Sequence, residues 1–394
     1  MSLEAIEVGF VPLVDAAALI VAREMGFAAE EGLDLRLVRE PSWSNIRDKV
    51  ALGIYPAAHM LAPMPLAMSL GAGAMQAGVI APFILNTGGG SVGVSHALAA
   101  AMGIDGPAGY GDARAMGVAL LRAAARRPVA IGAPFPQSMH VELLRYWLEG
   151  CGGDPDRDVT LHTVPPPLMT EALAAGEIDA FCVGEPWGSL AVERGVARLA
   201  LPGAAIWAWA PEKALGVRRD WAGAQPDALA ALLRALFRAG RWLGRAANLP
   251  SAAELMASPG YLGVSAMLIE RGLTGALSVD GSGAIRRTPR FIGFDGVEAS
   301  FPWRSQAQWI AARAARRWGF DAAAAHAAAA ECFRPDLYRA AIAPLGADLP
   351  GASSKVEGAL ESRIGVASAQ GGLFLGPDRF FDRREYDPDV NDCY

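Results

Sequence analysis

Four short stretches of this chain set a polar or aromatic side chain beside a proline or glycine, where an apolar run meets a helical one. The first is Glu40-Pro41-Ser42-Trp43-Ser44-Asn45-Ile46-Arg47-Asp48. Ser44 or Asn45 is suited to cap a helix there, and the free backbone N–H groups of such a terminus attract anions. Trp43 would stand beside them as a flat apolar wall with one N–H donor, although a tryptophan at this point serves a core equally well. In the second, Ala133-Pro134-Phe135-Pro136-Gln137-Ser138-Met139-His140, Ser138 is the expected N-cap, which puts His140 in the first helical turn. An imidazole there can donate to an anion, and the anion in turn favours its protonated form; a satisfied structural histidine fits the position too.

The third stretch, Ala180-Phe181-Cys182-Val183-Gly184-Glu185-Pro186-Trp187, ends an apolar run at a glycine. Gly184 allows close approach of backbone to a ligand, and Pro186 suits the first turn of a helix. Glu185 is an unfavourable neighbour for an anion unless it points away or pairs with a cation. In the fourth, Trp209-Ala210-Pro211-Glu212-Lys213-Ala214-Leu215-Gly216, Lys213 either snorkels to solvent or presents its ammonium to a ligand. The shared chemistry is capture of a small polar solute. No G-x-S-x-G elbow, H-E-x-x-H pair or phosphate loop accompanies it, so the reading is of a binding protein without catalytic residues, metal or cofactor.

The elements that would position these residues alternate between strand and helix. Strands are expected over Ile6–Val11, Leu33–Arg39 and Ala57–Leu61, with helices from Asp15 to Met25 and from Ser44 onward. This rhythm predicts a mainly parallel sheet with helices on both faces. Asn86–Gly90 reads as a loop, and the patternless Gly103–Gly111 as a crossing between lobes. Strands then recur over Val129–Gly132, Val159–Val164, Ala180–Val183 and Ala214–Val217, with helices over Ser138–Gly150 and Met169–Ala175. Long amphipathic helices are expected over Ala228–Arg245 and Gln306–Trp318, and Gly275–Arg290 reads as a loop. The organisation expected is an α/β protein with lobe 1 begun by residues 1–97, lobe 2 formed by 98–208, and 209–394 returning to lobe 1 with further C-terminal helices. Two such lobes leave a cleft where strand ends face helix starts.

The bulk properties narrow the function. A net charge of −6 over 394 residues offers no basic surface for nucleic acid. Four separated cysteines without a CxxC pair argue for free thiols and weakly for a reducing compartment. Met1–Phe10 runs into a strand with no basic-then-apolar leader, and no apolar stretch reaches the roughly 18 residues of a membrane span. A cytoplasmic location is the expectation; a removed leader would make it periplasmic.

The same segments resemble the nitrate-binding proteins of bacterial ABC transporters and their bicarbonate-binding relatives. The likeness lies in Gly9-Phe10-Val11-Pro12-Leu13-Val14-Asp15, in Trp43 with Arg47-Asp48-Lys49, and in His59-Met60-Leu61-Ala62-Pro63-Met64-Pro65. It continues through Met139-His140, Val164-Pro165-Pro166-Pro167, Asp179–Trp187 and Pro211–Arg218, and ends at Phe380-Phe381-Asp382. The resemblance implies a periplasmic-binding-protein-like fold of type II, two α/β lobes around a ligand cleft, and ligand contacts at Trp43, His140, Gly184 and Lys213. Retention of both His140 and Lys213 implies nitrate or nitrite rather than bicarbonate. One position departs: Gly90 stands where the family carries a Gln or Asn donor, leaving the Gly88–Ser91 backbone, the Ser91 hydroxyl or water to replace it, or else implying altered ligand choice or weaker binding. Without a leader, the chain looks most like the cytoplasmic nitrate/nitrite sensors that hold an RNA-binding antiterminator. The alternative is the solute-binding component of an importer, docking on an ABC transporter permease, and a thiamine-pyrimidine-synthase-like enzyme stands third.

Overall fold

The computed structural model describes residues 3–73, 75–104 and 109–390. Met1, Ser2, Cys393 and part of Gly103–Gly111 therefore lie outside the described residues. Two mixed sheets form the lobes. The first has six strands: β1 (Glu4–Phe10), β2 (Leu33–Arg39), β3 (Ala57–Leu61), β4 (Val79–Gly88), β10 (Pro211–Arg218) and β13 (Ile292–Gly293), in the order β13-β4-β10-β3-β1-β2. The second has five: β5 (Gly90–Ser95), β6 (Val129–Ala133), β7 (Val159–Thr163), β8 (Ala180–Gly184) and β9 (Ala197–Pro202), in the order β7-β6-β8-β5-β9. A hairpin of β11 (Ala276–Ser278) and β12 (Ile285–Arg287) lies outside both.

Four expectations change. The sheets are not mainly parallel, because β10 enters the first antiparallel to β3 and β4, and β5 enters the second antiparallel to β8 and β9. Such an insertion depends on a connection that leaves one lobe and returns, which local periodicity does not report. Asn86–Gly90 is not a loop but the passage itself: β4 ends at Gly88, β5 starts at Gly90, and only Gly89 lies between. The chain thus enters the second sheet at Gly88–Gly90 rather than near residue 97 or within Gly103–Gly111, whose described flanks sit on helices of the second lobe. Gly275–Arg290, read as a loop, holds the β11–β12 hairpin. The return to the first sheet falls between Pro202 and Pro211.

Buried strands are fitted to one another by residue size. Gly93 on β5 lies opposite Phe181 on β8, and a Cβ there would stand 2.1 Å from the phenyl ring. An apolar cluster joins the lobes, with Trp43, Tyr55 and Met60 on one side and Phe181, Val183 and Trp187 on the other. The C-terminal segment packs on the second lobe: Phe380 lies against Trp207, Tyr146 and Trp309, and Phe381 N–H donates to the Ile206 carbonyl at 2.8 Å. No helix among the described residues is long and apolar enough to cross a membrane. Gly93→Ala is expected to destabilise the protein by roughly 1–3 kcal/mol through overpacking. Urea denaturation followed by tryptophan fluorescence measures this, and an unchanged midpoint would mean that the β5–β8 contact is looser than described.

Candidate functional site

The chain brings residues of seven segments together between the lobes. Asp15 follows β1, Trp43 opens the helix Trp43–Ala51, His59 lies on β3, and Glu212 and Lys213 lie on β10. From the second lobe come His140, in the first turn of the helix Met139–Gly150, with Gly90 on β5 and Gly184 at the end of β8. Ser138 caps the His140 helix, its hydroxyl accepting from Val141 N–H at 3.2 Å. The Trp43 helix is capped by Ser42, which accepts from Asn45 N–H, and not by Ser44 or Asn45. That shift makes Trp43 the first helical residue and seals its ring inside, only 1% exposed.

Lys213 does not snorkel. Its side chain is fully buried, with Nζ 2.6 Å from Asp15 Oδ2 and 2.9 Å from Glu212 Oε1. Burial opposes the ammonium charge, but the two carboxylates outweigh it and raise the pKa above the ordinary lysine value. Burial likewise opposes ionisation of Asp15, yet Lys213 and His59 hold its carboxyl down at about 2. His59 Nε2 stands 3.0 Å from Asp15 Oδ1, and its ring lies 5.2 Å from that of Trp43. Trp43 in turn sits 5.6 Å from Lys213 Nζ. Burial lowers the His59 pKa despite Asp15 beside it.

His140 closes the cluster from the other lobe. Its Nδ1 is 3.1 Å from Glu212 Oε1, without the alignment of a good hydrogen bond. Burial pushes its pKa down to about 4 against the opposing pull of Glu212, so the ring is neutral near pH 7. His140 Nε2, Trp43 Nε1, Asn86 Oδ1 and Thr87 Oγ1 are buried with no partner in the protein. Buried polar groups are normally satisfied, so this concentration of unmatched atoms around a sealed charge marks a place for a polar solute or ordered water.

Part of the proposed replacement for a side chain at Gly90 is already occupied. Gly88 and Gly89 N–H donate to the Ala210 and Phe291 carbonyls, at 3.0 and 2.7 Å, and the Ser91 hydroxyl donates to Glu185 Oε1 at 3.3 Å. Glu185 is not turned to solvent. Its carboxyl is buried, takes Ser189 N–H at 3.1 Å, and has its pKa pushed up by burial. Gly184 is packed as its glycine suggests, since a Cβ would meet Leu13 at 3.0 Å and Asp15 Oδ2 at 3.2 Å. Asp15, His59, Glu212 and Asn86 were given no role by the sequence reading. Asp15 and His59 each stand as a lone polar group in an apolar run, which was the available signal.

A model of the NMT1-like family matches residues 2–257. The chain belongs to the NMT1-like family. It is 30% identical to the nitrate/nitrite binding protein NrtA of Synechococcus elongatus, over 99% of this chain and 85% of that protein. It is 34% identical to the nitrate import ATP-binding protein NrtC of Synechocystis over 80% of its own length, but spans only 46% of that longer relative. The crystal structure of the periplasmic nitrate-binding protein NrtA from Synechocystis superposes with a TM-score of 0.85 at 27% identity, covering 98% of this chain and 96% of that one. The fold is accordingly that of the periplasmic-binding-protein-like α/β proteins, and this family member is a solute-binding protein rather than an enzyme.

A neutral buried histidine carries a pH signature. The folded His140 pKa of about 4 lies below the 6.5 of a free histidine. Its contribution to stability is therefore complete above pH 6.5 and is lost as pH falls toward 4, because the unfolded chain takes up the proton first. The stability advantage of the native protein over His140→Gln should shrink by roughly 3 kcal/mol between pH 7 and pH 4. Urea titrations at stepped pH values measure it; a constant difference would show that His140 is not held neutral.

Proposed function

We propose that this protein is the solute-binding component of an import system for a small oxyanion, nitrate or nitrite. The observation that carries this is the sealed Lys213 ammonium surrounded by unmatched polar atoms of both lobes, notably Trp43 Nε1 and His140 Nε2. A small trigonal anion can lie between lobes and meet donors on several sides, where a charge-assisted hydrogen bond contributes about 1.5–3 kcal/mol. Trp43, His140, Lys213 and the Gly184 and Gly90 backbones are the assigned contacts, with Asp15 and Glu212 holding Lys213 in place. The Ser91 hydroxyl is not among them, since Glu185 engages it.

Transport is favoured over the sensor role with an antiterminator, because one of the relatives described is an import protein by name. The NrtC match supports a partner of the ATP-driven import class, with a permease as the docking surface. The Synechocystis structure, described as periplasmic, supports that compartment over the cytoplasmic one. Bicarbonate is the second reading. A neutral His140 whose Nδ1 faces Glu212 presents Nε2 as a hydrogen-bond acceptor, and bicarbonate has a hydroxyl to give it.

Isothermal titration of nitrate, nitrite, bicarbonate and cyanate into the purified protein decides among these. Nitrate or nitrite is expected to bind, and Lys213→Ala to weaken that binding by about tenfold or more. Because Lys213→Ala leaves two buried carboxylates unpaired, Trp43→Phe provides a gentler check: it keeps the ring, removes one donor, and should cost about fivefold to tenfold in affinity. Binding of bicarbonate alone, or unchanged nitrate affinity in both variants, would refute the assignment.

A further inference from the structure

The cleft poses an electrostatic problem for an oxyanion. One ammonium, Lys213, faces two carboxylates, Asp15 and Glu212, so the cluster is short of positive charge before the ligand arrives. His140 is the group placed to correct it. Its Nδ1 approaches the same Glu212 oxygen that accepts from Lys213. A lone pair 3.1 Å from a carboxylate oxygen would be repelled, so the neutral ring keeps its proton on Nδ1 and leaves Nε2 bare. Nitrate and nitrite carry no proton, and they too meet a bare Nε2 with repulsion.

Gly90 keeps that nitrogen uncovered. A Cβ at Gly90 would stand 3.5 Å from His140 Nε2, an ordinary contact, and its φ lies outside the left-handed region. Neighbouring Gly88 has a φ of +63°, and a Cβ there would press to 2.4 Å of the Phe291 carbonyl. Chain geometry thus demands glycine at 88 but not at 90, where the missing side chain opens space directly against the imidazole.

We infer that binding of nitrate or nitrite takes up one proton from solvent onto His140 Nε2, so that an imidazolium held by Glu212 donates to the ligand. Glu212 acts as the positioning residue: its carboxylate fixes the ring and compensates the new charge. The balance is simple, one solvent proton and one anion entering together, with no bond broken. The inference rests on the nitrate reading above. The charged groups acting on the ring are Glu212 and Lys213 on β10 and Asp15 after β1; His59 on β3 lies against Asp15, and Cys182 on β8 lies near Glu212 and Lys213. Glu142, on the same helix as His140, is turned to Arg317. Burial keeps the Cys182 thiol protonated, and Glu185 is engaged by Ser91 and Ser189. The ligand-free ring is neutral above about pH 4, so proton uptake accompanies the anion across the neutral range.

The test uses the intact protein. Nitrate and nitrite are titrated calorimetrically at pH 6.5 in PIPES and in imidazole, two buffers that release different heats per proton. The expected result is uptake of close to one proton per bound anion, with a dissociation constant that rises about tenfold per pH unit from 5.5 to 7.5. His140→Gln, whose amide donates without a proton from solvent, should bind with an affinity independent of pH and with no uptake. Nitrate binding by the native protein with uptake near zero would overturn the inference, as would full uptake persisting in His140→Gln. Failure of both anions to bind would instead overturn the ligand assignment beneath it.

Discussion

The cleft is organised around an ammonium with no access to water. An isolated charge in such a place costs several kcal/mol, and only close, well-directed opposite charges make it tolerable. Lys213 meets that condition with two carboxylates from separate parts of the chain, Glu212 beside it on β10 and Asp15 from the segment after β1. Each addition calls for another. Asp15 has a second oxygen, which His59 approaches, and Trp43 shuts the His59–Lys213 side from solvent. Glu212 reaches across to His140, so the same chain of charges ties one lobe to the other. Lys213, Asp15 and Glu212 cannot be exchanged singly without leaving a buried charge unmatched.

The sequence made part of this visible. His140 and Lys213 could be singled out because one follows a recognisable helix cap and the other interrupts a short apolar run. Trp43 and Gly184 stood at strand-to-helix junctions, where folds of this kind place ligands. Asp15 and His59 showed only as lone polar groups in apolar runs, and Glu212 carried no signal beyond its place beside Lys213. Their role depends on β10 entering the first sheet beside β3, a contact across some 150 positions of chain that no local pattern encodes. The same long return misled the reading of sheet direction. Helix positions were clearer, since the cap at Ser138 and the apolar spacing that follows it are local facts.

Glycine taught a related lesson. Gly88, Gly90, Gly93 and Gly184 look alike in the sequence, but they answer different demands: left-handed backbone at 88, an opposing phenyl ring at 93, and contact with Leu13 and Asp15 at 184. Gly90 alone of these four meets no crowding. Its meaning lies in what it leaves open.

The segment after β8 has one more consequence. Val14 N–H donates to the Glu185 carbonyl, Glu185 N–H to the Gly89 carbonyl, and the Trp187 indole to the Pro12 carbonyl at 2.9 Å. The first and last of these bonds fasten the lobes together beside Gly184. Separation of the lobes at this point breaks the same bonds whatever lies inside. Part of the residence time of any occupant is therefore written into the protein itself, and ligands held with unequal strength will share a common component in their rates of escape.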